Sequence, residues 1–458
     1  MAAKRRVGLG LLGYGNIGRE VFSYYRDGGR NARVVRIARR RINRPAQQAV
    51  KKLLVKRAEQ VIADPEAEII VELTGDAERG AQYMLDSINQ GKHVVTANKE
   101  ALATHWREIM GAAGQRGVSV GFGATVGGGM PVVRAMQRHA STDEVESFAG
   151  ILNGTCNFIL TKMKEYVVKH MDDPQIQKRS LPLEDALAQA QRLGYAEPDP
   201  TNDINGFDTK YKVAILANLA FDTAIDPADI YCEGIWQESQ RILASDFYFL
   251  HHPRYLDGKY ALRLAGIAER RGGRPALRVH PALIDASGPL ADLASVTENY
   301  NGIVINGRRL GRQFIKGLGA GPKPTTISVA SDIREIAAGM SKPAKGGSQA
   351  ENSGPPVPSA RRGPAPADVR KVRTRGYIRS VSPDVKGIYA KKLEILARHK
   401  VNVQSVVNVK EFLYGRDRFM PDYIEIDPAP DGAVRDVLRA FRRLRGVRDP
   451  MYFRVLEL

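Results

Sequence analysis

The feature that most constrains this chain lies near its start. VGLGLLG at 7–13 reads as a short buried strand, GYGNIG at 13–18 follows with no intervening loop, and a helix-like stretch runs from Arg19 to about Arg26. A second apolar strand, VVRIARR, comes next. Strand, glycine turn, helix, strand is a βαβ unit, whose parallel strands need both faces covered. AEIIVELTG at 67–75, a helix-like segment at 77–90 and GKHVVTANK at 91–99 continue the alternation. A parallel sheet with helices on its faces is therefore expected over residues 1–135.

The glycine spacing gives that sheet a use. Gly13 allows the tight turn, Gly15 lets the backbone approach a pyrophosphate, and Gly18 permits close helix packing, while the helix N-terminus offers amides and dipole to an anion. Residues 1–135 are read as a Rossmann-type dinucleotide-binding domain. Where an acid would meet the ribose 2′-hydroxyl of NAD, the chain has Arg39, Arg40 and Arg41. Guanidinium matches a 2′-phosphate with a bidentate fork, so NADP is expected, with NAD as the other candidate. The chain of 458 residues carries a net charge of +19, and residues 26–57 hold twelve Arg and Lys against one acid, Asp27. A second excess lies between Arg361 and Arg379. Most of these residues read as a solvated basic surface, with no nucleic-acid partner.

Beyond Ser147 the alternation ends. An apolar stretch leads into NGTCNFIL, helical segments follow, and a loop rich in Pro, Asp and Gly, GYAEPDPTNDINGFD, precedes a strongly helical run from Thr209 to Ala220. Residues 136–317 are expected to form a second, α+β domain for substrate binding and dimerisation, with 318–339 packing back on the first. SKPAKGGSQAENSGPPVPSARRGPAPAD is almost devoid of large apolar residues, so 340–368 reads as a disordered linker. Residues 369–458 show the order βαββαβ, a ferredoxin-like unit. In DGAVRDVLRAFRRLRGV, Val434, Val437, Leu438 and Phe441 fall at helical spacing. Because the proposed functional segments precede Ile336, removing 340–458 is expected to leave them folded. Two cysteines, no membrane-spanning apolar run and no signal sequence suggest a cytoplasmic protein without a membrane partner.

The loop at 193–217 carries the chemistry. Glu197, Asp199, Asp203 and Asp208 would be wasteful as core, and carboxylates suit an ammonium-bearing substrate. Asp208 and Lys212 are four apart, so on a helix they share a face; alone, such a pair reads as an ordinary surface ion pair. Taken with GYGNIG, the stretches GKHVVTANKEALA (91–103), GATVGGGMPVV (123–133), ILNGTCNFILTKM (151–163), LGYAEPDPTNDINGFDTKYKVAILA (193–217) and GLGAGPKPTTISVASDI (317–333) resemble homoserine dehydrogenase, in that family's order.

The resemblance implies hydride exchange between NAD(P)H and the pair aspartate 4-semialdehyde and L-homoserine. It implies Lys212 as the proton-transfer lysine, Asp208 as its partner, and Glu197, Tyr195, Gly154, Thr155 and Asp203 as substrate contacts. Lys99 corresponds to the lysine near nicotinamide and substrate, where its charge would stabilise a developing alkoxide. Cofactor contacts are implied at Gly13, Gly15, Asn16, Ile17, Gly18, Arg39, Arg40, Thr74, Thr96, Lys99 and Gly321. The turn 123–131 resembles a sodium loop using the carbonyls of Val126, Gly128 and Met130, although many relatives have Glu where this chain has Gly123. SPDVKGIYAKKLEILARHKVNVQSV resembles an ACT domain, which implies threonine as an effector; a dimerisation module without ligand is the alternative. A homodimer or higher homo-oligomer is expected. Cys156 reads as a small packed side chain, and the eight histidines read as surface residues without ligand spacing. Competing readings are another NADP-dependent reductase of the aspartate pathway, or a non-catalytic cofactor or amino-acid sensor.

Overall fold

The computed structural model describes residues 6–29, 31–39, 48–176, 181–237, 240–340, 357–412 and 419–458. The chain divides into two compact units, one of Met1–Val145, Tyr211–Pro227 and Gly317–Pro364, the other of Glu146–Lys210, Ala228–Lys316 and Ala365–Leu458. No helix among the described residues is long and apolar enough to cross a membrane.

In the first unit, β1 (Val7–Leu12), β2 (Ala32–Ala38), β3 (Leu54–Val55), β4 (Ile69–Glu72), β5 (His93–Thr96) and β6 (Val120–Gly121) form a parallel sheet in the order β3-β2-β1-β4-β5-β6. Every residue of β1 and of β4 is buried, as strands covered on both faces require. The order reverses between β1 and β4. Open α/β sheets bind ligands at such a point, beyond the C-terminal strand ends. The helix Asn16–Arg26 buries Val21 and Phe22 against Leu9, Leu11 and Ile37, and the late helix Pro322–Met340 adds Val329, Ile333 and Ile336 to the same core.

The second unit is built on a longer mixed sheet. Its strands are β7 (Val145–Ile151), the short β8 (Tyr231–Cys232), and the hairpin β11 (Tyr260–Arg271) with β12 (Arg274–Asp285), then β13 (Tyr300–Gly307) and β14 (Gly311–Leu318). A two-stranded ribbon of β9 (Trp236–Gln237) and β10 (Gln240–Arg241) lies apart from that sheet. The β11–β12 turn uses Gly272 and Gly273, both at positive φ, as a two-residue hairpin demands. The tail supplies β15 (Arg373–Pro383), β16 (Val403–Asn408), β17 (Phe419–Pro430) and β18 (Arg448–Val455), with helices Ile388–Arg398 and Asp431–Arg443 in the expected βαββαβ order.

The tail is not a separate domain. The sheet runs β14-β13-β7-β11-β12-β18-β15-β17-β16, because β18 pairs in parallel with β12, Ala282 against Arg454 and Leu283 against Val455. Leu456 joins the core of Ala149, Ile267 and Leu293. Two guanidiniums of the tail, buried almost completely, reach acids of the earlier segment: Arg379 to Asp246 at 3.1 Å and Arg454 to Glu233 at 2.9 Å. The linker expectation also needs correction. Residues 341–356 lie outside the described residues, but 357–364, though irregular, is bonded to the first unit. The Trp106 indole donates to the Ser359 carbonyl (3.0 Å), Ala224 N–H to the Arg361 carbonyl (2.9 Å), and Gly363 N–H to the Thr223 hydroxyl (2.8 Å). Composition weighs only side-chain burial, whereas this stretch is held through its backbone groups.

Candidate active site

At the switch point of the parallel sheet the three glycines meet three different demands. Gly13 has φ +108°, and a Cβ there would lie 2.6 Å from the Leu73 carbonyl oxygen; a Cβ on Gly18 would lie 2.3 Å from that of Gly13. A Cβ on Gly15 would meet nothing within 4 Å, so it would project into open space at the helix N-terminus. That space is a cavity of about 580 Å³ lined by Gly13, Tyr14, Gly15, Arg39 and Thr74, with Lys56 and Arg79 on its wall. It fits a dinucleotide: free amides for a pyrophosphate, and a cationic rim where a 2′-phosphate would sit. Arg39 follows β2 directly, its guanidinium 5.8 Å from the Tyr14 ring centroid. Arg40 and Arg41 lie outside the described residues. Lys56 belongs to the 26–57 run read as a solvated basic surface, and Arg79 is not singled out in the sequence.

The other implied cofactor residues are placed unequally. Asn16 opens the helix and accepts from Arg19, Ile17 packs against the core, and Gly321, at φ +121°, precedes the helix Pro322–Met340. Thr74 lines the cavity. Thr96 is fully buried, and its hydroxyl donates to Glu72 at 2.8 Å. Lys99, half-buried, is the first residue of the helix Lys99–Thr104, which Asn98 caps by accepting from Ala101 N–H. Within the same unit the Tyr211 hydroxyl donates to Glu100 at 3.0 Å. This bond ties the chain neighbour of Lys99 to the chain neighbour of Lys212.

The carboxylates gather around a residue that sequence reading passed over. Asn153 Nδ2 donates to Asp203 at 2.7 Å and to Asp208 at 2.8 Å, while its Oδ1 accepts from Cys156 N–H and caps the helix Gly154–Lys169. Both amide hydrogens are thus spent on acids, and the cap fixes which way the amide faces. The residue type and its place before an apolar helix were the available signal. Thr155 donates its hydroxyl to the Tyr195 carbonyl at 2.7 Å, and the Tyr195 ring meets Phe158 edge-on at 5.1 Å, leaving Tyr195 exposed. Gly154 begins the capped helix; a Cβ there would lie 2.9 Å from the Asn299 carbonyl oxygen. Glu197 is exposed on its loop.

Asp208 and Lys212 stand one turn apart on the helix Phe207–Phe221, and only 6% and 7% of their surfaces are exposed. A solvated surface ion pair does not bury both partners. Two charged groups held one turn apart and shielded from water are suited to moving a proton. Cys156 is buried, its Sγ beside the Asp203 carbonyl, as a packed side chain. The surface reading fails for His139 and His280, which are 5% and 1% exposed, and burial beside Lys164 and Arg263 pushes His251 down to about 4.

In the turn 123–131 Val126, Gly128 and Met130 are buried, and Gly127 and Gly128 have positive φ. The Gly128 carbonyl accepts from the Ser328 hydroxyl at 2.5 Å. Gly123 donates its N–H to Asp332 at 2.8 Å, and a Cβ on Gly123 would lie 3.0 Å from that carboxylate. Burial raises Asp332 to about 6, against Gly123 N–H and Arg134.

Comparison with known proteins bears on this arrangement directly. Residues 13–122 match the family model described as homoserine dehydrogenase, NAD binding domain, and residues 131–333 the one described as homoserine dehydrogenase. A homoserine dehydrogenase of Pseudomonas aeruginosa is 31% identical over 457 residues, with 97% of each chain covered. One from Bacillus subtilis is 30% identical, covering 87% of this chain and 84% of its own. The crystal structure of a homoserine dehydrogenase from Thiobacillus denitrificans superposes with a TM-score of 0.81 at 30% identity, covering 99% of both chains. With a glycine cradle for a nicotinamide dinucleotide and a buried acid–lysine pair in place, the chain belongs to the homoserine dehydrogenase family.

Proposed function

We propose that the chain interconverts L-homoserine and L-aspartate 4-semialdehyde with NADP in preference to NAD, and that Lys212 moves the proton. The observation that carries this is the burial of Asp208 and Lys212 together on one helix. The cofactor, when bound, supplies or accepts the hydride. In the reducing direction the Lys212 ammonium gives a proton to the carbonyl oxygen; in the oxidising direction its amine takes one from the substrate hydroxyl. Asp208 holds Lys212 in register, and Lys99 stabilises negative charge developing on the substrate oxygen. Glu197 and Asp203 take the substrate ammonium, while Tyr195, Gly154 and Thr155 shape the pocket around its carbon chain.

Arg39, with Lys56 on the same wall, would hold a 2′-phosphate, and Gly13, Gly15 and Gly18 would seat the pyrophosphate. The carbonyls of Val126, Gly128 and Met130 would hold sodium as a structural ion. A cytoplasmic homodimer, with threonine binding to the ferredoxin-like tail, completes the reading. The test follows absorbance at 340 nm with homoserine and each of NADP and NAD, for wild type and Lys212→Ala. Loss of about 10²-fold or more in kcat, with NADP still bound, is the expected outcome. Near wild-type turnover in Lys212→Ala would remove that lysine from the mechanism.

A further inference from the structure

Glu72 is an acid with no part in the chemistry above, yet it occupies the centre of the parallel sheet. It is the last residue of β4 and fully buried, in register with Leu12 of β1 on one side and Thr96 of β5 on the other. Its Oε1 accepts from the Thr74 N–H at 2.7 Å and the Thr74 hydroxyl at 2.5 Å; its Oε2 accepts from the Thr96 hydroxyl at 2.8 Å. An ionised carboxylate is an acceptor at every lone pair, so three donors converging on it are satisfied at once. A buried acid is costly to retain, and an apolar residue would fill a sheet interior at lower cost. What it holds indicates why it is there.

Two branches leave this carboxylate. One is Thr74, which lines the dinucleotide cavity beside Gly13 and Gly15. The other runs through Thr96, whose hydroxyl oxygen accepts from Asn98 N–H at 2.9 Å. Asn98 Oδ1 in turn accepts from Ala101 N–H at 3.1 Å in the first turn of the helix that Lys99 begins. Asn98 Nδ2 closes the loop by donating to the Asp76 carbonyl at 3.0 Å, and Asp76 caps the helix Ala77–Asn89. Packing leaves no slack, for a Cβ on Gly80 would lie 2.6 Å from Asn98 Nδ2 and 3.2 Å from Glu72 Oε1. We propose that Glu72 is a positioning residue for hydride transfer, one carboxylate setting both the Thr74 edge of the cofactor cavity and the turn that presents Lys99.

The proposal rests on reading Lys99 and the cavity as parts of the active site, and the experiment separates the two. Glu72→Gln replaces one acceptor oxygen with an amide N–H, so the threonine hydroxyl facing it must turn round to accept, and the charge-assisted bond that fixes that branch is lost. Displacements of an ångström or less in positioning groups cost about 10- to 100-fold in rate. The expected result is a kcat lower by about that factor, a severalfold weaker NADPH affinity by fluorescence titration, and a homoserine KM within about twofold of wild type. Thr96→Val cuts only the Lys99 branch and should lower kcat without changing NADPH affinity. On kcat, Thr96→Val combined with Lys99→Ala should be no slower than Lys99→Ala alone, because the valine acts through the lysine. A folded Glu72→Gln that turns over like wild type overturns the proposal. Where that variant does not accumulate, wild-type kcat in Thr96→Val, or additivity with Lys99→Ala, overturns it equally. If Lys99→Ala itself turns over normally, the active-site reading fails first.

Discussion

Arg379→Met tests how the ferredoxin-like tail is joined to the rest of the second unit. The Arg379 side chain is wholly buried, as is that of Asp246. Its Nε donates to Asp246 at 3.1 Å, one terminal nitrogen to the Asp449 carbonyl at 2.6 Å, and the other to the Arg241 carbonyl. Methionine matches the stem and removes the charge, leaving a buried carboxylate whose remaining donors are Tyr423 at 2.8 Å and Leu243 N–H at 2.7 Å. Removing one partner of such a pair costs about 3–5 kcal/mol. At about 2–4 °C per kcal/mol, the unfolding transition of this unit should fall by roughly 6–20 °C. Burial pushes the Asp246 carboxyl above its usual range, with Arg379 working against it. A carboxyl whose folded pKa exceeds its unfolded value loses folding stability as pH rises between the two. Without Arg379 the folded value climbs further, so the deficit of the variant should be larger at pH 8 than at pH 5. Adding Asp246→Asn neutralises the stranded charge and should recover about 2 kcal/mol or more. Scanning calorimetry at both pH values checks each step. A loss under about 1 kcal/mol, or one that neither varies with pH nor responds to Asp246→Asn, would refute the reasoning.

Neutralising Arg39 and Lys56 together should weaken NADP binding by roughly 10- to 100-fold, at about 1.5–3 kcal/mol per charge-assisted bond, and hardly move NAD; isothermal titration with both cofactors decides it, and equal weakening would return the cluster to the solvated surface. Tyr211→Phe, which releases Glu100, should lower kcat by about 3- to 10-fold with unchanged NADP affinity; steady-state kinetics equal to wild type would mean that the bond does not hold the two lysines in place. Sodium chloride added to enzyme prepared in choline chloride should raise kcat or the unfolding temperature where choline does not, if the 123–131 carbonyls hold the ion. Cutting the chain at residue 364 should yield an aggregating or destabilised product, because it exposes the β12 edge and strands Asp246 and Glu233; a monodisperse, active product would show that the tail is dispensable.

The first unit was legible because its signals are local. A glycine turn between a seven-residue apolar run and an amphipathic helix specifies strand, turn and helix without reference to distant residues, and β1, β4 and β5 fall within the segments that read as strands. Arg39 was legible for the same reason, being the first residue after a strand of known role. Asn153 was not. Its function comes from Asp203 and Asp208, some fifty residues on, and only its helix-capping half is written locally. Thr96 has the same limit: the resemblance implies it as a cofactor contact, but that its hydroxyl turns to the buried Glu72 depends on the neighbouring strand and is not written locally.

The tail shows the same limit on a larger scale. Read alone, βαββαβ is self-sufficient, with helices Ile388–Arg398 and Asp431–Arg443 covering one sheet face around Leu396, Val437 and Phe441. The alternate positions of β15 and β17, including Tyr377, Arg379 and Tyr423, point to the other face, which in an isolated unit would meet water. Period-2 reading therefore treats an Arg and two Tyr there as ordinary surface residues. The structure buries all three beneath the helix Ala244–His251, where Phe249 stacks on Tyr423 at 4.0 Å, meets Tyr377 at 5.4 Å, and Asp246 takes Arg379. Polar residues on a strand face are compatible with water or with a charged, aromatic partner, and the choice depends on a segment more than 130 residues away. An autonomous tail would need that face solvated. Since its charge is neutralised and its rings are stacked by the earlier helix, a ligand bound to the tail that shifts β15 or β17 must also act on Asp246 and its helix.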